Sequence, residues 1–199
     1  MKNPCPGLWL ADIQEQTKHL TSLSNNLITL SRMEEERTRL QMIDFPFSDV
    51  VEETVQSFQA LARTQNKTFE TLIQPMISLY GDEKSLTQLV SILLDNAMKY
   101  STPESGEISL RLEKAGNNVK LSVYNTADSI DREQLPHLFD RFSTGPISPR
   151  SSRTGGYGLR LSIAAAVVNT HKGKITATTQ DEHSLLITVT LPLKAQGRK

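Results

Sequence analysis

The chain has 199 residues, and its 22 basic and 22 acidic side chains cancel; 37% of residues are hydrophobic and 22% charged. That length and balance suit one good hydrophobic core with an appended helical element, and they exclude a nucleic-acid or membrane-surface binder driven by net charge. The single cysteine, Cys5, has no internal disulfide partner and no nearby thiol or histidine cluster for a metal site, which fits a reducing, cytoplasmic setting. No apolar run reaches the roughly 18 residues of a membrane span, and the opening MKNPCPGLWL lacks the apolar core of a signal peptide. The expectation is a soluble chain, although a longer parent need not be.

Between Pro6 and Met42 there is no proline, and no glycine after Gly7, while Ile13, Leu20, Leu23, Leu27 and Leu30 recur at sevens, threes and fours. This is a coiled-coil-like seam on one long helix, and so narrow a stripe calls for a partner helix, in cis or in a second chain. Packing on its own domain is the alternative. Phe45-Pro46-Phe47 breaks the pattern, because proline disfavours helix at the preceding residue and removes a donor. A domain boundary falls there, separating residues 1–43 from 44–199. Ser48 and Asp49 offer caps for a helix with Val51, Val55, Phe58 and Ala62 on one face, ending near Gln65-Asn66.

Residues 68 to 80 read as short extended segments interrupted by Pro75, and Gly81-Asp82 starts a helix whose Leu86, Leu89, Val90, Leu93 and Ala97 form the buried face. The alternating runs EISLRLEK (107 to 114) and NVKLSVYN (118 to 125), joined around Gly116-Asn117, predict a hairpin. STGPISPRSSRTGG (143 to 156) reads as a long mobile loop of the kind used as a lid or binding segment. A helix from about Leu159 to Thr170 and a last hairpin, KITATTQ with LLITVTLPL, complete the chain. Helices and strands interspersed in this way predict an α/β two-layer sandwich, a mixed sheet with helices on one face.

The stretch TGGYGLRLS (154 to 162) places three glycines in five positions before an apolar helix. Its glycine order fits neither GxxxxGK[ST] nor a dinucleotide fingerprint, and alone it also reads as a tight loop-to-helix junction. Asn96, Lys99 and Tyr100 stand at i, i+3 and i+4, so an amide, an ammonium and an aromatic ring share the face opposite the leucines. An amide oxygen can ligate Mg²⁺, a lysine can meet a phosphate and a tyrosine ring can stack on a base. A solvated polar helix end is the alternative.

Taken in order, LLDNAMKYS (93 to 101), VYNTADSI (123 to 130), LPHLFDRF (135 to 142), GGYGLRLSIA (155 to 164) and HKGKI (171 to 175) resemble the ATP-binding catalytic domain of bacterial sensor histidine kinases. LTSLSNNLITLSRMEE (20 to 35) resembles the second helix of their dimerisation domain. The resemblance implies a Bergerat-type sandwich, related to the gyrase and heat-shock-chaperone ATPases, that binds Mg-ATP. It implies that Asn96 ligates Mg²⁺, Lys99 approaches the phosphates and Tyr100 lies against adenine. Asn125, Ala127 and Ile130 belong to the adenine-side motif by the same resemblance, and Phe139 and Phe142 anchor a lid hinge. Gly156 and Gly158 let the backbone approach the triphosphate, with Leu159 and Arg160 opening the helix behind them, where N–H groups and the macrodipole favour an anion. The family further implies a homodimer formed through the N-terminal helix, a cognate response regulator as partner, and a membrane-anchored parent with this portion on the cytoplasmic side.

The departures from the family pattern are specific. Its usual Asp-x-Gly-x-Gly is replaced by Asn125, Ala127 and Ser129. An asparagine oxygen still accepts a hydrogen bond, whereas an alanine Cβ restricts φ and intrudes where a base approaches. Arg160 replaces the last glycine of the turn; it opposes the helix macrodipole unless its guanidinium meets a phosphate. Thr144 stands where an arginine is usual, so Arg160, or Arg150 or Arg153, is the candidate for that charge. Ile92, one turn before Asn96, replaces a second asparagine and cannot orient a water or a metal ligand. None of His19, His137, His171 and His183 has the acidic residue and the Thr-Pro or Asn-Pro pair that follow the family's phosphoacceptor. The expectation is that the first dimerisation helix is missing and that the chain alone does not autophosphorylate. A degenerate, non-catalytic module that acts through dimerisation or protein contacts is the competing reading. A related ATPase or serine-directed kinase of the same fold group is a weaker one.

Overall fold

The computed structural model describes residues 40–103, 105–140 and 159–194, together with Thr17 and Thr21. The long-helix seam lies outside the described residues, apart from those two threonines, which are helical, with the Thr21 hydroxyl donating to the Thr17 carbonyl at 2.9 Å.

The order of elements is β1 (Met42–Pro46), α1 (Phe47–Thr64), β2 (Thr68–Ile73), β3 (Ser78–Asp82), α2 (Glu83–Tyr100), β4 (Glu107–Ala115), β5 (Asn118–Thr126), a 3₁₀ segment (Arg132–His137), α3 (Leu159–Thr170), β6 (Lys174–Thr178) and β7 (Ser184–Pro192). Five strands form a mixed sheet in the order β2-β4-β5-β7-β6, with β2 parallel to β4 and the remaining pairs antiparallel. The three helices form the second layer, α2 lying between α1 and α3 and packing on β5. This is the α/β two-layer sandwich that the sequence predicts.

Alternation makes the sheet one-sided, since successive residues of a strand point to opposite faces. Ile108, Leu110 and Leu112 of β4, Val119, Leu121 and Val123 of β5, and Leu185, Ile187, Val189 and Leu191 of β7 are all buried. They also sit in register, Leu112 opposite Leu121 and Leu121 opposite Val189, so the apolar rows run straight across the sheet. The turn between β4 and β5 relies on Gly116, whose φ of 62° is cheap only for a residue without a Cβ.

On α2, Leu86, Leu89, Val90, Leu93 and Ala97 are buried as the spacing predicts, and Ile92, Leu94 and Met98 join them. Asp82 caps this helix by accepting from the Ser85 N–H at 2.8 Å. The start of α1 is different from the expected Ser48 or Asp49 cap: Pro46 is the cap residue, with no side-chain cap bond. Ser48 lies inside the first turn and is buried; its hydroxyl donates to the Gln74 carbonyl at 2.7 Å and accepts from the Ile77 N–H at 3.0 Å. The residue is spent on fixing the loop between β2 and β3. The strand β1 was not visible in the sequence either. It pairs with β3 in a separate two-stranded sheet and buries Phe45, whose ring meets that of Phe47 edge-on at 6.0 Å.

Candidate functional site

The C-terminal half of α2, the end of β5 and the first turn of α3 carry the described candidate residues. α2 runs unbroken through Asn96, Lys99 and Tyr100, so helical spacing puts all three on the side away from its leucines: Asn96 and Tyr100 are half-buried and Lys99 is exposed. The helix end is fixed by Lys67, whose ammonium donates to the Met98 carbonyl at 2.6 Å and to the Ser101 hydroxyl at 2.7 Å. A cation on the last carbonyls satisfies acceptors that have no partner within the helix and complements the macrodipole. Burial holds the Lys67 pKa below that of an ordinary lysine.

The contact that joins the two distant motifs is an ion pair between Arg160 and Asp95, Nη1 of the arginine on Oδ2 of the carboxylate. Arg160 is the second residue of α3 and Asp95 immediately precedes Asn96, so the pair sets the start of α3 against the polar side of α2. The three neighbouring groups respond to one another. Lys99, although exposed as a residue, has a lowered pKa, first because the groups packed around its ammonium exclude part of its water, with Asp95 raising it and Arg160 lowering it further. Tyr100 has a raised pKa, first from burial, then from the negative charge of Asp95, with Arg160 opposing. The Lys99 ammonium lies 5.2 Å from the centre of the Tyr100 ring. An anion entering here meets two cations, Lys99 and Arg160.

On the sheet side, Asn125 continues the buried row of β5 and lies opposite Ile108 on one flank and Leu185 on the other. Its Nδ2 donates to the Thr126 carbonyl at 2.8 Å. That bond orients the amide and leaves the side-chain oxygen as its acceptor. Ala127 and Ile130 follow, both buried. The φ of Ala127 is not positive, so its Cβ imposes no backbone strain where the resembled family carries glycine. Ser129 is exposed.

Ile92 is buried among the core leucines, so it points into the interior and lends nothing polar to Asn96. Phe139 is partly buried against the core. Phe142, Gly156 and Gly158 lie outside the described residues, as do Thr144, Arg150 and Arg153; Leu159 is the first residue of α3. Among the described residues no group of three or more His, Cys, Asp or Glu side chains is placed to hold a metal ion. The Asn96 amide oxygen could serve Mg²⁺ only as one ligand beside phosphate oxygens and waters, the manner in which Mg²⁺ is ordinarily held with nucleotides.

His171 was read in the sequence only as part of a motif, and its role is structural. It is buried; Nδ1 lies 2.8 Å from the Val167 carbonyl and Nε2 accepts from the Asp82 N–H at 3.0 Å. These bonds require the neutral ring with the proton on Nδ1, and burial lowers its pKa, against smaller raising effects of the Val167 carbonyl and Asp82. The ring ties the end of α3 to the cap of α2. Gly81 makes room for it, since a Cβ there would stand 2.9 Å from His171 Cδ2 and 2.7 Å from a Leu86 methyl.

No described helix is long and apolar enough to cross a membrane. Residues 81–195 match the family described as histidine kinase-, DNA gyrase B- and HSP90-like ATPases. The chain is 31% identical over 194 residues to the sensor protein DltS of Streptococcus agalactiae, covering 97% of this chain and 48% of that protein. It is 35% identical over 172 residues to the sensor histidine kinase TrcS of Mycobacterium tuberculosis, covering 84% of this chain and 33% of that one. The chain thus spans half or less of these relatives. Its fold matches the histidine kinase ThkA, solved in complex with the response regulator protein TrrA, with a TM-score of 0.70 at 18% identity, over all of this chain and 55% of that one.

Proposed function

The chain belongs to the histidine kinase-, DNA gyrase B- and HSP90-like ATPases, and from that premise we propose that it is the catalytic portion of a two-component sensor histidine kinase, binding Mg-ATP for phosphoryl transfer to a histidine carried elsewhere. The observation that carries this reading is the Asp95–Arg160 contact, which brings the start of α3 to the side of α2 bearing Asn96, Lys99 and Tyr100. Four chemically suited groups from two distant segments then converge, and helix N-terminal N–H groups add a fixed positive field.

In this reading the Asn96 oxygen takes one coordination position on Mg²⁺. The Lys99 ammonium and the Arg160 guanidinium face the phosphates, and Tyr100 presents its ring to the base with its phenol kept neutral. Asn125, oriented by Thr126, accepts from the adenine amino group, with Ala127 and Ile130 forming the apolar wall beside it. ATP supplies the transferable γ-phosphoryl group and Mg²⁺ neutralises its charge; catalysis of such transfers is mostly positioning and charge stabilisation. Leu159, with Phe142, Gly156 and Gly158, completes the set that the family resemblance assigns to nucleotide. The division at residues 43 and 44 into a partial dimerisation region and an ATP-binding domain belongs to the same proposal. So do homodimerisation through the N-terminal helix, a cognate response regulator and a membrane-anchored parent with this portion on the cytoplasmic side. ThkA, solved with a response regulator, supports the partner assignment.

A second reading, a degenerate module that acts through protein contacts, is favoured by the deep burial of Asn125 and by Ile92 facing the core. Amide hydrogen exchange with and without a Mg-ATP analogue separates the two. The kinase reading expects slowed exchange at residues 125–131, at the end of α2 and in the first turn of α3. Unchanged exchange throughout at saturating nucleotide supports the degenerate module.

A further inference from the structure

We propose that the turn between β6 and β7 is the positioning element for the base-side loop, with Arg132 and His183 as its positioning residues; the role rests on the nucleotide-binding reading above. Past Thr126 the strand ends, and residues 127–131 carry Ala127 and Ile130 with an isolated bridge at Ile130 and no strand or helix of their own. The turn takes their place. The Ala127 N–H donates to the His183 carbonyl at 2.7 Å and the Ile130 N–H donates to the Glu182 carbonyl at 2.7 Å. His183 reaches back with Nδ1 at 2.8 Å from the Asp128 carbonyl, so that nitrogen carries the proton. At the far end of the loop, Arg132 places Nε 3.1 Å from Glu182 Oε1, and its Nη2 donates to the Gln180 carbonyl at 3.0 Å. Both ends of the loop are tied to the same four-residue stretch.

The turn is itself fixed from within. Thr179 Oγ1 accepts from the Glu182 N–H at 3.1 Å, while Asp181 Oδ1 accepts from the His183 N–H at 3.0 Å and from the Ser184 hydroxyl at 2.7 Å. Glu182 has φ of 62°, a left-handed conformation that costs a non-glycine residue and persists only where the surroundings over-determine it. It is also the residue whose carbonyl and carboxylate both hold the loop. The phosphate-side cations Lys99 and Arg160 stand on other elements, so loosening the turn weakens contacts to the base and leaves contacts to phosphate intact.

The test is competition binding of ATP, ADP and inorganic triphosphate to Arg132→Ala, His183→Ala, Arg132→Lys and the charge-reversed pair Arg132→Glu with Glu182→Arg. It is accompanied by amide exchange at Ala127 and Ile130 without nucleotide. The alanine variants are expected to exchange faster at both amides and to bind ATP and ADP about threefold to tenfold more weakly by the same factor, with triphosphate unaffected. The lysine variant restores part of the Arg132→Ala loss, and the charge-reversed pair restores only the Glu182 share of it, because a carboxylate at 132 cannot donate to the Gln180 carbonyl. Equal weakening of triphosphate, or unchanged ATP affinity despite faster exchange, overturns the positioning role. Unchanged exchange at both amides overturns it with or without a nucleotide, whereas a wild-type chain that binds no nucleotide contradicts the kinase reading instead.

Discussion

Replacing Arg160 by alanine separates its two possible occupations, partner of Asp95 and contact for phosphate. The Arg160 guanidinium meets Asp95 with side chains 49% and 42% exposed, so the pair stabilises the fold by only about 0.2–1 kcal/mol. Arg160 also sits in the first turn of α3, where a cation opposes the macrodipole by about 0.3–1 kcal/mol, an effect of similar size and opposite sign. Arg160→Ala should therefore leave the melting temperature within a few degrees of wild type, since about 1 kcal/mol corresponds to roughly 2–4 °C in a chain of this size. A charge-assisted bond to phosphate is larger, about 1.5–3 kcal/mol, and for a half-exposed guanidinium its lower end is appropriate. The expectation is about tenfold weaker binding of a Mg-ATP analogue, with adenosine unaffected. Thermal melts and fluorescence titrations of wild type, Arg160→Ala, Asp95→Asn and the double variant supply both quantities. An Arg160→Ala chain that binds Mg-ATP as well as wild type, or better, refutes the phosphate role and leaves Arg160 as half of a surface ion pair.

Three further outcomes follow from the geometry. His171 is neutral in the fold and its pKa is lowered from the ordinary 6.5, so the unfolded chain takes up more protons below that value. Its contribution to stability is full above about pH 6.5 and declines as pH falls towards the folded pKa, and denaturant titrations of His171→Gln should show a flatter profile across that window. Gly81→Ala should be destabilising by about 1–3 kcal/mol in melts, because the new methyl overlaps His171 and Leu86. Lys67→Met removes the donor on the last carbonyls of α2, costing about 1–2 kcal/mol and fraying the turn that carries Lys99 and Tyr100; amide exchange at Ser101 reads the fraying directly.

What was legible in the sequence was whatever a local period encodes. The amphipathic spacing of α2 specified both its buried leucines and the shared position of Asn96, Lys99 and Tyr100. Strict alternation specified β4 and β5, the Gly116-Asn117 turn specified their pairing, and the last hairpin was read as β6 with β7, whereas the pairing of β5 with β7 has no local signal. β1 was not legible: five residues ending in proline have no clear period, and the strand exists because β3, brought alongside from residues 78–82, supplies its ladder. Ser48 looked like a helix cap because capping is a local pattern, whereas its actual partners, Gln74 and Ile77, are set by tertiary packing. The Asp95–Arg160 pair spans 65 residues and the hold of His183 on Asp128 spans 55, separations at which no spacing rule applies. Of the two effects expected of the Ala127 Cβ, the restriction of φ costs nothing, because the backbone there is not left-handed; its place beside an approaching base is a matter for nucleotide titration.

The central claim is that the altered motifs still form a magnesium-dependent ATP site. Calorimetric titration of the purified chain with a non-hydrolysable ATP analogue, with and without Mg²⁺ and beside Asn96→Ala, tests it most directly. The account predicts binding that strengthens with Mg²⁺ and a magnesium effect that disappears in Asn96→Ala. A folded chain that takes up no heat at millimolar analogue, or binds equally with and without Mg²⁺, contradicts it.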